Sequence, residues 1–278
     1  MPLIQNTYGK GRVRVMRVHR GGERHEAREL TVQAMLDGGF AAAYTEGDNR
    51  AVVATDTIKN IAYIVARENL AAGAEQYGEA LAARFLQRYP QVERVRVSMR
   101  ETRWTRASIG GTPHPHSFVL DANGQPTAEV SATRDGPTVV SGIAGYTFMK
   151  TTESGWVDYA MDEYTTLAPT QDRIAATAMD ARWTWLRAPA DYGDANARVL
   201  STMLEVFATT YSRGIQDSLY RMGEAALAAV PELETVRMAC PNKHYLPVKL
   251  EPFGLSADNM VFIPTDEPHG QIECAVGR

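Results

Sequence analysis

The sequence holds a scattered set of polar residues whose types could transfer protons or bind a small planar anion. The set comprises Lys10, Thr55, Asp56, Arg173, Gln216, Asn242 and His244. An amine close to a hydroxyl can pass a proton to and from a ligand. A guanidinium or a carboxamide can form two hydrogen bonds with polar groups on one edge of a planar ligand. Each residue type is also common in turns and on solvated surfaces, so residue types alone leave both interpretations open.

Thr55 and Asp56 belong to the segment VVATDTIKN, residues 52–60, in which three small apolar residues run into Thr-Asp-Thr. We predict that residues 52–54 form a strand of an antiparallel sheet. A strand that ends in two hydroxyls flanking a carboxylate either forms an ordinary turn or presents a reactive hydroxyl. The segment by itself is compatible with both.

No complete motif for a metal, a nucleophile or a phosphate is present. His114 and His116 lie in PHPHSF, and Cys240 lies four residues before His244, but the sequence has no CxxC or HExxH pair. We predict that the two histidines of PHPHSF are structural. The sequence also lacks GxSxG, a P-loop and a dinucleotide fingerprint, so its motifs imply no cofactor.

Composition narrows the class of protein. The 278 residues are 44% hydrophobic and 22% charged, which is typical of a globular protein with an ample core. A net charge of −4 argues against a general nucleic-acid binder. No apolar run reaches the roughly 18 residues that a membrane span needs. Two cysteines, Cys240 and Cys274, suit a reducing cytoplasm.

The pattern of apolar residues predicts an α+β fold. Apolar and polar residues alternate in residues 12–15, 94–100, 145–148 and 182–185, as in antiparallel strands with one buried face. Elsewhere apolar residues recur at helical spacing. These residues are Tyr77, Leu81 and Phe85 before Pro90; Val199, Met203, Val206 and Thr210 after Asp191, a predicted N-cap; and Ile215, Leu219, Met222 and Ala226 before Pro231.

A weak internal repeat divides the chain. YPQVERVRVSM, residues 89–99, resembles VPELETVRMAC, residues 230–240, and in each a predicted helix closes at a proline before a strand. We therefore predict two similar units, residues 1–150 and 151–278, with a join near residues 150–155. The polar strand faces are either simply solvated or, if several sheets join edge to edge, line a wet channel.

Several segments, in order, resemble the signature segments of the urate oxidase (uricase) family. They are VVATDTIKN (52–60), RWTR (103–106), PHPHSF (113–118), DEYTTL (162–167), TQDRI (170–174) and PNKHY (241–245). The resemblance extends from residue 8 to residue 278. It implies two tandem tunnelling-fold units, each an antiparallel sheet backed by helices. It further implies that four chains assemble into a β-barrel tunnel, with active sites at subunit boundaries and with no metal or organic cofactor.

The resemblance also assigns roles to individual residues. It implies that Lys10, Thr55 and His244 form a catalytic proton relay. The substrate-binding residues that it implies are Thr55, Asp56, Tyr159, Arg173, Ile215, Gln216 and Asn242. Arg173 and Gln216 would bind urate through their side chains, and Ile215 and Asp56 would donate backbone N–H groups to it. Asn242 would hold dioxygen or water. Counting back from DEYTTL puts Tyr159 where the family stacks a phenylalanine on the ring.

The function implied is oxidation of urate by dioxygen and water to 5-hydroxyisourate and hydrogen peroxide, in purine degradation. The sequence ends without a Ser-Lys-Leu peroxisomal address, which favours a cytoplasmic enzyme of bacterial type. Two alternatives are open. One is a tunnelling-fold relative that acts on another purine or a pterin and needs a metal. The other is a purine-binding protein without catalytic activity, suggested by the altered segment around Tyr159.

Overall fold

Long antiparallel strands form where apolar and polar residues alternate, as the sequence predicts. The computed structural model describes residues 1–256 and 259–278, and contacts within the chain divide it into two compact units, Met1–Gly142 and Ile143–Arg278. The sequence puts the join near residue 150, whereas the observed boundary falls inside a strand, Gly136–Lys150. Both units combine an antiparallel sheet with helices, so the α+β fold class is confirmed.

The first unit contains most of the strands. Its elements are β1 (Tyr8–His19), β2 (Glu26–Gly38), α1 (Ala41–Thr45), α2 (Thr55–Asn69), α3 (Ala74–Arg88), β3 (Val92–Ile109), β4 (Thr112–Asp121), β5 (Gln125–Thr133) and the start of β6 (Gly136–Lys150). The sheet order is β1-β2-β3-β5-β6, and β4 pairs with the far part of β3. Helix α2 packs against β1, and α3 packs against β3 and β5. The predicted stripe Tyr77, Leu81 and Phe85 is buried there.

The second unit repeats this plan in a shorter form. After the end of β6 it contains β7 (Ala175–Trp185), α4 (Tyr192–Thr209), α5 (Ile215–Ala229), β8 (Leu233–Pro247) and β9 (Phe262–Gly277), with the strands in the order β6-β7-β8-β9. The core gathers Trp183, Val199, Met203 and Met222 from β7, α4 and α5. The predicted N-cap is confirmed, because the Asp191 carboxylate accepts the N–H of Asp194 at 2.9 Å.

The internal repeat has a close structural counterpart. Helices α3 and α5 each have 15 residues, each begins directly after a glycine, and each leads into a strand of the sheet. Pro90 and Pro231 lie in the short connections that follow the two helices. Two tandem units are therefore confirmed. None of the described helices is both long and apolar enough to cross a bilayer.

The prediction of a strand at residues 52–54 is wrong. These residues have no regular secondary structure, and Thr55 is the first residue of α2. Val53 is buried, but its N–H and C=O both pair with the hydroxyl of Tyr8 instead of with a neighbouring strand. Three apolar residues are too few to show a period, so they do not distinguish a strand from a buried entry into a helix.

Candidate active site

A cavity of about 760 Å³ in the second unit gathers three of the residues that the sequence singles out. Arg173, Asn242 and His244 all line it. Cavities of this size are typical of small-molecule sites, and a few polar groups on a largely apolar wall fix the orientation of a ligand. The structure thus brings together residues that lie about 70 positions apart in the sequence.

Arg173 has hydrogen-bonding capacity to spare in this cavity. It lies just before β7, and its backbone N–H donates to Ser154 O at 2.9 Å, which fixes the chain at this point. Its Nε atom is buried, and no atom of the described residues accepts its proton. Burial also lowers the pKa of the guanidinium from its ordinary value. A buried donor without an acceptor is costly, so the site is suited to a ligand that supplies one.

Trp156 forms an aromatic wall beside Arg173. The guanidinium carbon lies 5.7 Å from the centre of the Trp156 ring, and Trp156 is among the residues lining the cavity. The ring also reaches Gly214, since a Cβ atom added to that glycine would lie 2.7 Å from the indole. Trp156 therefore connects the arginine side of the site with the residues that precede α5.

Tyr159, which the sequence predicts to lie beneath a ligand ring, packs against Trp156 in this structure. Tyr159 is not among the described residues that line the cavity, and its ring is stacked on Trp156 at a centroid distance of 5.5 Å. Its hydroxyl donates to the carbonyl oxygen of Leu167. Counting back from DEYTTL selects Tyr159, but the spacing does not reveal which aromatic ring faces the cavity. Trp156, three residues earlier, is the aromatic residue of this segment that lines the cavity.

Ile215 and Gln216 open α5 next to this wall. They are its first two residues, and the N-cap, Gly214, contributes no side chain, so the N–H groups of the first turn have no acceptor within the helix. The Gln216 Oε1 atom lies 3.3 Å from where a Gly214 Cβ would be. Gln216 and Trp156 thus approach the same glycine, and the helix terminus favours negative charge.

Residues 153–156 connect Arg173, Trp156 and the start of α5 through backbone hydrogen bonds. Their backbone makes hydrogen bonds both to the segment before β7 and to the loop before α5. The bonds run from Arg173 N to Ser154 O (2.9 Å), from Trp156 N to Thr170 O (2.7 Å) and from Gly155 N to Ser212 O (2.8 Å). One short segment therefore positions the arginine, the indole and the start of α5 relative to one another.

Asn242 and His244 lie two residues apart on β8, and both line the cavity. Asn242 is opposite Thr177 of β7 and Gly270 of β9, and the pairing with β9 is irregular between Asn242 and His244. Such irregularities re-aim side chains and are common beside active sites. Both residues are partly buried and face a cavity, as polar groups that meet a ligand do.

The other predicted site residues lie in the first unit. Lys10 is on β1, and Thr55 and Asp56 are the first two residues of α2, where Ala54 provides no side-chain cap. Hydrogen bonding to Lys59 is the main cause that lowers the pKa of Asp56, and the charge of Lys10 adds to it. Lys10 is therefore close enough to the start of α2 to act on it electrostatically.

The carboxylate of Asp56 is engaged within its own helix. It forms an ion pair with Lys59 and accepts a hydrogen bond from Asn60 Nδ2 at 2.9 Å. The backbone N–H groups of Thr55 and Asp56, by contrast, belong to the uncapped first turn and have no helical acceptor. Asp56 is thus better suited to offer its backbone than its side chain.

Metal ligands do not converge in the parts of the chain that the structure describes. No group of three or more His, Cys, Asp and Glu side chains there could hold a metal ion. The rings of His114 and His116 are 4.5 Å apart, and His114 Nδ1 accepts the N–H of Ser117 at 3.1 Å. This bond supports the structural role predicted for PHPHSF.

A family model described as uricase matches residues 6–131 and 139–273, nearly the whole chain. The chain belongs to the uricase family. The uricase of Dictyostelium discoideum is 37% identical over 99% of this chain and 97% of its own length. The uricase of Aspergillus flavus is 36% identical over 98% of this chain and 95% of its own length. The family resemblance drawn from the sequence is confirmed, as is the prediction of an enzyme, an oxidoreductase of the urate oxidase type.

Solved uricase structures share the fold. The crystal structure of uricase from Arthrobacter globiformis superimposes with a TM-score of 0.94 at 37% identity, covering 100% of this chain and 95% of that one. A uricase from Bacillus fastidious superimposes with a TM-score of 0.83 at 24% identity, covering 98% of this chain and 93% of that one. At the lower identity the likeness concerns the fold alone.

Proposed function

We propose that this chain oxidises urate with dioxygen and water to 5-hydroxyisourate and hydrogen peroxide, without a resident metal or organic cofactor. Urate loses two electrons, dioxygen accepts them as peroxide, and water supplies the oxygen of the new hydroxyl group. The observation that carries the proposal is the cavity of the second unit. There Arg173 presents a buried, unpaired donor beside the face of Trp156, in a chain of the uricase family.

In this proposal the second unit binds urate. The ligand is a flat anion with carbonyl and N–H groups on its edges, so the Arg173 guanidinium and the Gln216 carboxamide can each make paired hydrogen bonds to it. The N–H of Ile215, at the start of α5, is a further donor. Trp156 stacks on the face of the ring, replacing Tyr159 in this role.

Asn242 and His244 act above the ring. The carboxamide of Asn242 holds dioxygen and later the attacking water, since it can donate to one and accept from the other. His244 belongs to the proton relay, for which an imidazole is suited near neutral pH. Their proximity on β8 and their position in the cavity support both roles.

The first unit provides the remaining catalytic groups. The Thr55 hydroxyl and the Lys10 amine pass a proton from urate and return one later, and Asp56 donates its backbone N–H to the ligand. Because urate itself supplies the electrons, the protein has to move protons, orient the reactants and stabilise charge. The uncapped start of α2 suits this task, since its N–H groups favour an anion.

We further propose a homotetramer in which each site takes Lys10, Thr55 and Asp56 from one chain and Arg173 and its neighbours from another. The two groups of residues belong to different compact units, which is consistent with a site shared between chains. Activity then depends on assembly.

We also propose a cytoplasmic location, which suits the free thiols Cys240 and Cys274.

The test is turnover of urate by chelator-treated protein. The expected result is a loss of the ultraviolet absorbance of urate together with release of hydrogen peroxide. Arg173→Gln serves as the matched control, because it removes the guanidinium fork while keeping a polar side chain, and it should be close to inactive. The proposal fails if the chelator-treated wild-type protein leaves urate unchanged.

The same preparation separates the two alternatives. Activity that disappears with the chelator and returns with an added divalent metal would indicate a metal-dependent relative acting on a purine or a pterin. Tight binding of urate without uptake of dioxygen would indicate a purine-binding protein. Oxidation that is unaffected by the chelator excludes both.

A further inference from the structure

The hydroxyl of Tyr8 makes two hydrogen bonds to one buried peptide segment. It accepts the N–H of Val53 at 2.7 Å and donates to the carbonyl oxygen of Val53 at 3.2 Å. Burial raises the pKa of this phenol, so its proton is retained for the second bond. The ring packs edge-on against Phe40 at a centroid distance of 4.9 Å, which fixes the direction of the hydroxyl.

Tyr8 and Val53, the two residues joined by these bonds, each lie two positions before a proposed catalytic residue of the first unit. Tyr8 lies two residues before Lys10 on β1, so both side chains leave the same side of the strand. Val53 lies two residues before Thr55, the first residue of α2. The strand itself has little freedom here, because a Cβ atom on Gly9 would lie 1.9 Å from the carbonyl oxygen of Ala34 on β2.

Among the described residues, no N-cap side chain fixes the start of α2. The N-cap residue, Ala54, has no side-chain hydrogen bond to the first turn, whereas most helices begin with a side chain that fixes this position. Gln91 also holds the preceding loop, through a bond of 2.8 Å to Ala51 O, but this attachment is further from the helix. The bonds between Tyr8 and Val53 therefore add a direct polar link between β1 and the residues that enter α2, beside the packing of α2 against β1.

We propose that Tyr8 is a positioning residue, which sets the distance between the Thr55 hydroxyl and the Lys10 amine without contacting the substrate. This inference rests on the proposed proton relay. A relay works only when donor and acceptor stay within hydrogen-bonding reach, and small displacements of reacting groups have large effects on rate. Loss of the Tyr8 hydroxyl should therefore slow the chemical step and leave the binding of urate by the second unit largely intact.

The test compares Tyr8→Phe with Tyr44→Phe in steady-state assays of urate oxidation. Tyr8→Phe keeps the packing on Phe40 and should lower kcat roughly 5- to 50-fold, with KM for urate changed less than about twofold. Tyr44→Phe is the matched control, because it removes a bond of 3.2 Å to Thr7 O at the same end of β1. It should leave both parameters at wild-type values.

A double-mutant cycle separates positioning from general destabilisation. In a Thr55→Ala background the further change Tyr8→Phe should lower kcat no more than about twofold, because the group that Tyr8 positions is already absent. Equal effects of Tyr8→Phe in the two backgrounds would overturn the inference, and so would a wild-type kcat for the single variant. Failure of wild-type protein to oxidise urate would instead refute the proposed function.

Discussion

Arg173 carries a buried N–H donor that no atom of the described residues accepts, although the guanidinium lies in a cavity and against an indole face. Leaving such a donor unpaired costs about 1–3 kcal/mol, a large share of the net stability of a domain. A bound anion would remove this cost and would gain charge-assisted hydrogen bonds. The residue thus has the features expected of a ligand anchor.

Substitutions of the relay should separate chemistry from binding. Thr55→Ala and Lys10→Met are each expected to lower kcat about 100-fold or more, the usual contribution of general acid–base catalysis, while KM for urate changes less than about threefold. Steady-state kinetics and equilibrium binding of urate measure the two effects. Thr57→Ala, which removes the other hydroxyl in the first turn of α2, is the control and should behave as wild type. Wild-type turnover by Thr55→Ala would refute the relay.

Substitutions of the two aromatic residues should distinguish Trp156 from Tyr159. Trp156→Leu removes the aromatic face on which we propose that the urate ring stacks. Stacking on an aromatic side chain is worth about 1–3 kcal/mol for a nucleobase, so KM for urate should rise roughly tenfold. Tyr159→Phe keeps its ring on Trp156 and loses only the bond to Leu167, so KM should stay near the wild-type value. A larger rise in KM for Tyr159→Phe than for Trp156→Leu would instead indicate that Tyr159 is the stacking residue.

At the scale of single elements, the starts of α2 and α5 supply much of the candidate site. Both helices lack a side-chain N-cap, and their first two residues are Thr55 and Asp56 in one case and Ile215 and Gln216 in the other. An uncapped helix start is unfavourable unless another group accepts its N–H donors. We expect an anionic ligand to do so at each helix, because neither Ala54 nor Gly214 has a side chain that accepts these N–H groups.

Gly214 should be intolerant of even a methyl group. Its backbone is extended, so strain is not the reason, but a Cβ atom would lie 2.7 Å from the Trp156 ring and 3.3 Å from Gln216 Oε1. Gly214→Ala is therefore expected to raise KM for urate about tenfold or more by displacing these side chains. Gly22→Ala, where nothing lies within 4 Å of the new atom, should have no effect. Equal KM values for the two variants would contradict this packing.

Sequence periodicity predicts the regular elements well, because burial of one face leaves a repeating pattern. Tyr77, Leu81 and Phe85 lie on the buried stripe of α3, and residues 94–100 lie in β3. The sequence puts Thr55 at the end of a strand, whereas residues 52–54 form an irregular entry to a helix. Their partner, Tyr8, is 45 positions away, and no local pattern records a contact of that separation.

The site was only partly predictable for a similar reason. The family resemblance singles out Arg173, Gln216 and Asn242, but it does not reveal which ring of the segment around Tyr159 lines the cavity. That choice depends on the bonds that connect residues 153–156 to Thr170 and Ser212, which are tertiary contacts. The unpaired Nε of Arg173 is likewise visible only once the chain is folded.

At the scale of the whole molecule, the residues proposed for one reaction belong to two compact units. Lys10, Thr55 and Asp56 lie in the first, and Arg173, Gln216 and Asn242 lie in the second. The internal repeat recurs in both units, since α3 with β3 and α5 with β8 have the same layout. The central claim is that urate bound by the second unit of one chain is oxidised with the relay of the first unit of another.

Co-expression of two inactive variants, Lys10→Met and Arg173→Gln, tests this claim most directly. Suppose that two chains share two sites, and that each site takes its relay from one chain and its arginine from the other. Half of the randomly formed pairs then contain one chain of each variant, and in each such pair one of the two sites has both an intact relay and an intact arginine. About a quarter of the wild-type rate of urate oxidation should then return. If native mass spectrometry shows mixed assemblies and their activity is no higher than that of the separate variants, the claim is contradicted.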